Sequence, residues 1–259
     1  MMHTAKYMHQ ILSLSNDAYE EIFKEINTEN LIDKKGIIYV WTNKNLKSRK
    51  LEIKVRNDLG IEQKLLTKEE ILELEPNLNP VFDAGVIYEK AMHARDPHGI
   101  LKEIFKLFLR KGGKFIQENI TSLKSNNENE TTISSDNNSY TFEKSIIASG
   151  AFSKNFTDQL GENIPLDTER GYHVHFKKMD HLISRPVIFL DKGFGLTPMN
   201  QGLRAVGTVE LGGLKNPPSK KRIDYVIKCA KELLPQLKEH EDEWLGFRPT
   251  LPDFLPILG

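Results

Sequence analysis

Apolar residues recur every three or four positions near the start of the chain: Tyr7, Ile11, Leu14, Ala18, Ile22 and Ile26. That spacing predicts a helix over 5–27 with one apolar face. The pattern then changes. GIIYVW (36–41) is a continuous run of apolar, β-branched and aromatic residues and predicts a buried strand, as does AGVIY (84–88). Between them, LTKEEILELEPNL places Thr67 ahead of a helix with Glu70 three residues on, a capping box, and Pro76 as the stop. Asp96-Pro97 marks a second start, with Asp96 as cap and Pro97 supplying a fixed φ at the first helical position. The helix that follows sets Ile100, Ile104, Leu107 and Phe108 on one face and stops at Gly112-Gly113.

Further on, 115–123 predicts a strand and SNNENETTISSDNNSYTF a hairpin with long exposed tips. KSIIASG (144–150) predicts a short strand running into a glycine turn. GYHVHF (171–176) and PVIFL (186–190) predict two more strands, and GFGLTPMNQGLRAVGTVEL a hairpin turned at Asn200-Gln201-Gly202. Residues 223–237 are expected to form an amphipathic helix. Antiparallel-looking strand pairs with separated helices give an α+β class. The runs 36–41, 84–88, 171–176, 186–190 and 204–210 are expected in one large, mainly antiparallel sheet, with helix 223–237 on one face.

Charge adds little. Lys+Arg and Asp+Glu balance at 36 each, so no net field argues for nucleic acid or a membrane surface. Cys229 is the single cysteine, which excludes an intrachain disulfide or a cysteine cluster and predicts a packed, inert thiol in a reducing compartment. No apolar run approaches the roughly twenty residues of a membrane span. The opening residues lack an apolar segment followed by a small-residue cleavage site. A soluble cytoplasmic chain is the expectation, and the Asn-x-Ser/Thr triplets at Asn119, Asn129, Asn137 and Asn155 then carry no weight. His173 and His175 stand two apart and share one face of a strand. Such a pair can hold a metal, but no third ligand of suitable spacing accompanies it, so none is expected.

Four stretches, in this order, are more informative: HARDPHGILKEIFKLFLRKGGKF, SIIASGAFSKNF, PLDTERGYHVHF, and TPMNQGLRAVGTVELGG running on to WLGFRPTLPDFLPILG. Together they resemble FAD-dependent oxidoreductases of the D-amino-acid dehydrogenase and glycine oxidase group over most of 30–259. PLDTERGYH with GFRPTLPDFLPILG points to the dehydrogenase branch. The resemblance implies a discontinuous substrate domain (29–90 and 165–245) and an incomplete α/β FAD domain (1–28, 91–164 and 246–259). It also implies FAD as cofactor, a small D-amino acid or related amine as substrate, and oxidation of the Cα–N bond to an imine that water hydrolyses.

Residue by residue, the resemblance assigns the substrate carboxylate to Arg248 of G-F-R-P, whose planar guanidinium matches a carboxylate with two donors. The plain alternative is an ion pair with Asp253 or Glu243. Tyr172 and His173 match a stretch beside the substrate cavity, although strand packing explains them as well. Strand backbone at Ala148, Ser149 and Gly150 would pass the FAD pyrophosphate and ribose, and Ile120 would meet the adenine. Phe152 stands where the family prefers tryptophan.

Two departures accompany the match. The family's strand, G-x-G-x-x-G turn and helix, which bring backbone N–H groups to the pyrophosphate, are not among these residues. Nor is the glycine-rich segment that follows LPILG in the family. The sequence reads as the middle of such an enzyme. Alone it is expected to bind FAD weakly, to show no turnover, and to expose apolar faces around Ile146, Ile147, Phe254 and Ile257. The alternative function is an inactive remnant, or a split-gene subunit that needs separate flanking polypeptide.

Overall fold

The computed structural model describes residues 2–43, 46–126 and 130–258. In chain order the elements are Met2–Leu12 (α1), Ser15–Phe23 (α2), Ile32–Asp33 (β1), Ile37–Trp41 (β2), Leu46–Asp58 (α3), Lys64–Thr67 (β3) and Lys68–Leu74 (α4). Then come Ala84–Tyr88 (β4), His93–Ala94 (β5), Pro97–Arg110 (α5), Ile120–Asn126 (β6), Glu130–Ser135 (β7), Ser139–Phe142 (β8) and Lys154–Thr157 (α6). Asp167–Lys177 (β9), Val187–Phe189 (β10), Phe194–Met199 (β11), Gly202–Leu211 (β12), Lys220–Leu233 (α7) and Asp242–Thr250 (β13) complete the chain.

The class is mixed α and β around an eight-stranded sheet of order β13-β9-β12-β11-β10-β2-β4-β3. Antiparallel pairing joins β3 to β4, β4 to β2, β10 to β11 and β11 to β12, while β2 and β10 run parallel. All five expected strands lie in this sheet, and Met199 faces Gly202 across the expected turn. Strand alternation divides each strand between two faces. Ile38, Val40, Val174, Phe176, Val187, Phe189, Leu196 and Leu203 turn to one face and are fully buried in the core. Helix α7 joins the same core through Ile223, Val226, Ala230 and Leu233, at the three- and four-residue spacing of one helical face.

The chain forms two compact units. The first comprises Met1–Phe108, Gly171–Glu210 and Pro217–Gly246 and holds the sheet's core and α7. The second comprises Leu109–Arg170, Leu211–Asn216 and Phe247–Gly259 and contains the three-stranded β6-β7-β8 sheet.

Local signals are realised faithfully at two helix starts. Thr67 and Glu70 make the reciprocal capping box, and Gly99 N–H donates to Asp96 Oδ1 at 2.9 Å. Elsewhere the structure departs from expectation. The predicted helix 5–27 is two helices, because Ser13 and Ser15 hydroxyls donate to the Gln10 and Leu12 carbonyls and divert the backbone. Helix α7 stops at Leu233, since Pro235 disfavours helical backbone in the residue before it. Residues 46–58, too polar to signal a face, form α3.

Strand β6 begins at Ile120 rather than Phe115, and the polar tract makes a three-stranded meander rather than one hairpin. Its first tip (127–129), with Asn129, lies outside the described residues, as does Gly259. Residues 144–149 are not a strand: they pair with no other strand among the described residues, and Ile146 is 92% exposed. Apolar run alone makes no strand without a neighbour to take its hydrogen bonds. The faces expected to be open are open at Ile146, Phe254 and Ile257, while Ile147 is half-buried.

Candidate functional site

A cavity of about 300 Å³ opens on the sheet face opposite α7. The alternation that buries Ile38, Val187 and Leu203 on one face sends Tyr39, Ile188 and Arg204 to the other. His173, Thr197 and Met199 join them, and His93 and Pro97 form an overhanging wall. All the lining residues belong to the first unit.

The overhang is pinned from below. Asn200, at the β11–β12 turn, donates from its backbone N to the Arg95 carbonyl at 3.0 Å and from Nδ2 to the Asn30 carbonyl at 2.6 Å. Arg95 returns an Nε–H bond to Asn200 Oδ1 at 2.9 Å and pairs with Asp180 at 3.3 Å.

One polar side chain of the cavity, His173, belongs to a ring stack that continues outside its lining. The rings of His173 and His175 lie 5.1 Å apart at 25°, and the Trp244 indole covers His173 at 4.7 Å and 18°. Gly246 leaves the room for that indole, because a Cβ there would sit 1.9 Å from the ring. Arg204 Nε–H donates to His175 Nε2 at 2.8 Å. A guanidinium can only donate, so Nε2 is the bare nitrogen and neutral His175 carries its proton on Nδ1.

Burial lowers the pKa of His173 to about 4, helped by the Arg204 charge and His175 and opposed by Asp242. His175 is lowered by burial and then by Arg204. Burial also pulls down Arg204, against Asp96, from a range so high that it stays charged. The imidazoles are therefore neutral at pH 7, and the cavity's charge resides on Arg204.

A pH dependence of stability follows. The unfolded chain binds protons at these histidines near pH 6.5, whereas the folded chain resists them until lower pH. Stability is thus complete above about pH 6.5 and falls as pH drops towards the folded value of about 4 at His173. Urea midpoints at pH 7.5 and pH 5 should differ in that sense, and His173→Phe should reduce the difference. A midpoint that rises towards pH 5 contradicts this account.

The structure distributes the residues picked from sequence. His173 lines the cavity. Tyr172 points the other way: it is 1% exposed, its hydroxyl donates to Glu210 Oε2 at 2.5 Å and accepts from Ser219 N at 3.1 Å, and it packs in the core. Arg248 lies in the second unit, with its side chain 67% exposed and paired to Glu169 rather than to Asp253 or Glu243. Ile120 starts β6 at a register shift against β7, half-buried. Ala148 and Ser149 are exposed on irregular backbone, and Gly150 takes φ +58° at a 3-10 turn. None of the 17 glycines makes a G-x-G-x-x-G turn into a helix. The residues present thus offer exposed backbone at 148–150 but no cradle for a dinucleotide pyrophosphate.

Sequence reasoning passed over Arg204 and His93. The signal for Arg204 was present: a lone charge between Leu203 and Ala205 in a strand must leave the core face. His93 stands in EKAMHARD, which has no period to read.

A family model described as "FAD dependent oxidoreductase" matches residues 2–259. The chain belongs to that family. A D-amino-acid oxidase of Bradyrhizobium diazoefficiens is 27% identical over 99% of this chain and 62% of its own length. A D-amino acid dehydrogenase of Vibrio atlanticus is 25% identical over 87% of this chain and 56% of its own. The chain thus spans about three fifths of the length of the curated relatives it matches. In fold it is similar to glycine oxidase from Geobacillus kaustophilus, with a TM-score of 0.82 at 20% identity, covering 95% of this chain and 67% of that one. No helix among the described residues is long and apolar enough to cross a membrane, and those residues contain no group of three or more potential metal ligands.

Proposed function

We propose that this chain supplies the substrate side of an FAD-dependent enzyme that oxidises the Cα–N bond of a D-amino acid or related amine to an imine. The family match over 2–259 carries the reading, and the relatives that act on D-amino acids support the substrate class. FAD is the electron acceptor of such a reaction, and water then releases the 2-oxo acid and ammonia. In this reading 29–90 and 165–245 bind substrate, and 1–28, 91–164 and 246–259 contribute to the flavin domain. Ile120, Ala148, Ser149 and Gly150 lie along the dinucleotide. A dinucleotide-binding segment outside these 259 residues, in the same polypeptide or a partner, provides the pyrophosphate cradle. The buried single cysteine suits a reducing, cytoplasmic setting.

The chain's own contribution is binding and orientation. His173, neutral and stacked, presents a polar edge to the first unit's cavity. Arg248, in the second unit, is the residue to which the resemblance gives the substrate carboxylate, in exchange for Glu169. Tyr172 acts behind the wall, fixing β9 through Glu210 and Ser219 rather than touching substrate.

The test is dye reduction by the flavin-loaded assembly containing this chain, with paired D- and L-amino acids. Turnover with D-substrates is the expected result, and no turnover with any amino acid or amine refutes the reading. In that assembly, where bound substrate and flavin would bury a side chain that is exposed here, Arg248→Ala should weaken carboxylate substrates by about 2–5 kcal/mol, the cost of truncating one partner of a buried charge pair. An unchanged KM and kcat removes Arg248 from the site.

A further inference from the structure

We propose that the first unit's cavity is itself a carboxylate site, in which Arg204 and His93 bind an acid group of the substrate. This rests on the amino-acid substrate class proposed above but assigns recognition to residues other than Arg248.

Three observations carry it. First, Arg204 is half-buried in the cavity wall, and no carboxylate among the described residues comes within ion-pair distance of it. Asp96 acts on it only from beyond that distance, so burial of the cation is only partly offset, and an incoming anion relieves the remaining cost. Arg248, by contrast, is two-thirds exposed and already paired with Glu169.

Second, Arg204 spends only Nε–H on a protein partner, the bare Nε2 of His175. That bond fixes the plane of the guanidinium through the His175–His173–Trp244 stack. The terminal N–H groups remain for a ligand, in the forked geometry that suits a carboxylate.

Third, His93 lines the same cavity, is 8% exposed, and has neither ring nitrogen hydrogen-bonded within the protein. The Pro198 carbonyl sits near the ring but outside hydrogen-bonding geometry. Native structures seldom leave such a group unsatisfied unless something else binds there. Burial lowers its pKa, so it is a neutral imidazole with one N–H to offer. A guanidinium fork and one imidazole N–H fit the oxygens of a carboxylate. Ile188 and Met199 leave an apolar floor for the carbon chain.

Calorimetry on the purified 259-residue chain tests this with three probes: D-alanine, D-glutamate and glutarate. Arg204→Gln should weaken binding by about 30-fold or more, as removal of one partner of a desolvated charge pair does. Arg204→Lys, which keeps the charge but loses the fork, should fall between. If Arg204→Gln weakens D-glutamate and glutarate but not D-alanine, the group held is the side-chain carboxylate. If all three weaken alike, it is the α-carboxylate. Glutarate has no amine, so its binding through Arg204 sustains the site even if the assembled enzyme oxidises no D-amino acid. Equal affinities in wild type and Arg204→Gln, or no binding of any probe by the folded wild type, overturn the proposal. Should Arg204→Gln fail to fold, the wild type decides: glutarate must shift the His93 and His173 ring signals in the NMR spectrum, and unmoved signals overturn it.

Discussion

Glu75→Ala should cost the fold about 3–5 kcal/mol, the range for stranding the partners of a buried ion pair. Glu75 ends helix α4 with its side chain 2% exposed. One carboxylate oxygen accepts from the Ser184 hydroxyl at 2.5 Å and Arg185 Nε at 3.1 Å, and the other from Ser184 N–H at 2.8 Å. Three donors from the segment leading into β10 thus converge on one acid. Alanine would leave a guanidinium, itself only 17% exposed, without its carboxylate and with only the Ser184 hydroxyl oxygen at 3.2 Å for Nε–H, and a half-buried Ser184 N–H without an acceptor. The loss should appear as a lower urea midpoint with little change in slope. Glu75→Gln, which keeps the volume but brings an NH2 towards donors, should recover only part. A midpoint shift under about 1 kcal/mol for Glu75→Ala would show that the network contributes little beyond its own desolvation cost.

Gly202→Ala should be nearly as damaging, by about 3 kcal/mol, through strain and overpacking together. Gly202 opens β12 with φ +135°, a backbone state that side-chain-bearing residues avoid. A Cβ there would lie 2.4 Å from the Phe176 carbonyl oxygen and 2.8 Å from Lys177 Cα, both backbone atoms that cannot rotate away. Relief requires β9 and β12 to part at the cavity's edge, so thermal unfolding should shift down and the Met199–Gly202 amides should lose exchange protection. Wild-type protection in the alanine variant would contradict the argument.

What was legible in the sequence was what the chain decides locally. Thr67 with Glu70, and Asp96 with Pro97, set helix starts through bonds spanning three residues, and both formed as read. The five sheet strands were legible because their apolar runs are long and their core face is covered by α7. KSIIASG was misread because its apolar content says nothing of a neighbour, and strands exist only in pairs. The helix over 5–27 was misread because two serine hydroxyls compete for backbone carbonyls.

The candidate site was legible only in part, for a similar reason. His173 could be placed on a strand face, and the family resemblance directed attention to Arg248. The conjunction of Arg204 and His93 depends on how the β5 segment is carried over β12, a distance of more than a hundred residues along the chain. No spacing rule reaches that far. Tyr172 was set beside His173 in sequence, but the pleat of β9 sends neighbours to opposite faces.

The stack of Trp244 on His173 also makes the cavity optically addressable. The chain has two tryptophans. Trp41 is buried at 3% exposure and should emit at short wavelength, whereas Trp244 is 54% exposed and should emit towards the red. A protonated imidazole quenches an indole it touches far better than a neutral one. The red component alone should therefore dim as pH falls towards the His173 pKa of about 4. An occupant that alters the imidazole's charge would move that titration, so the cavity's electrostatic state could be followed by its native colour, without label or cofactor.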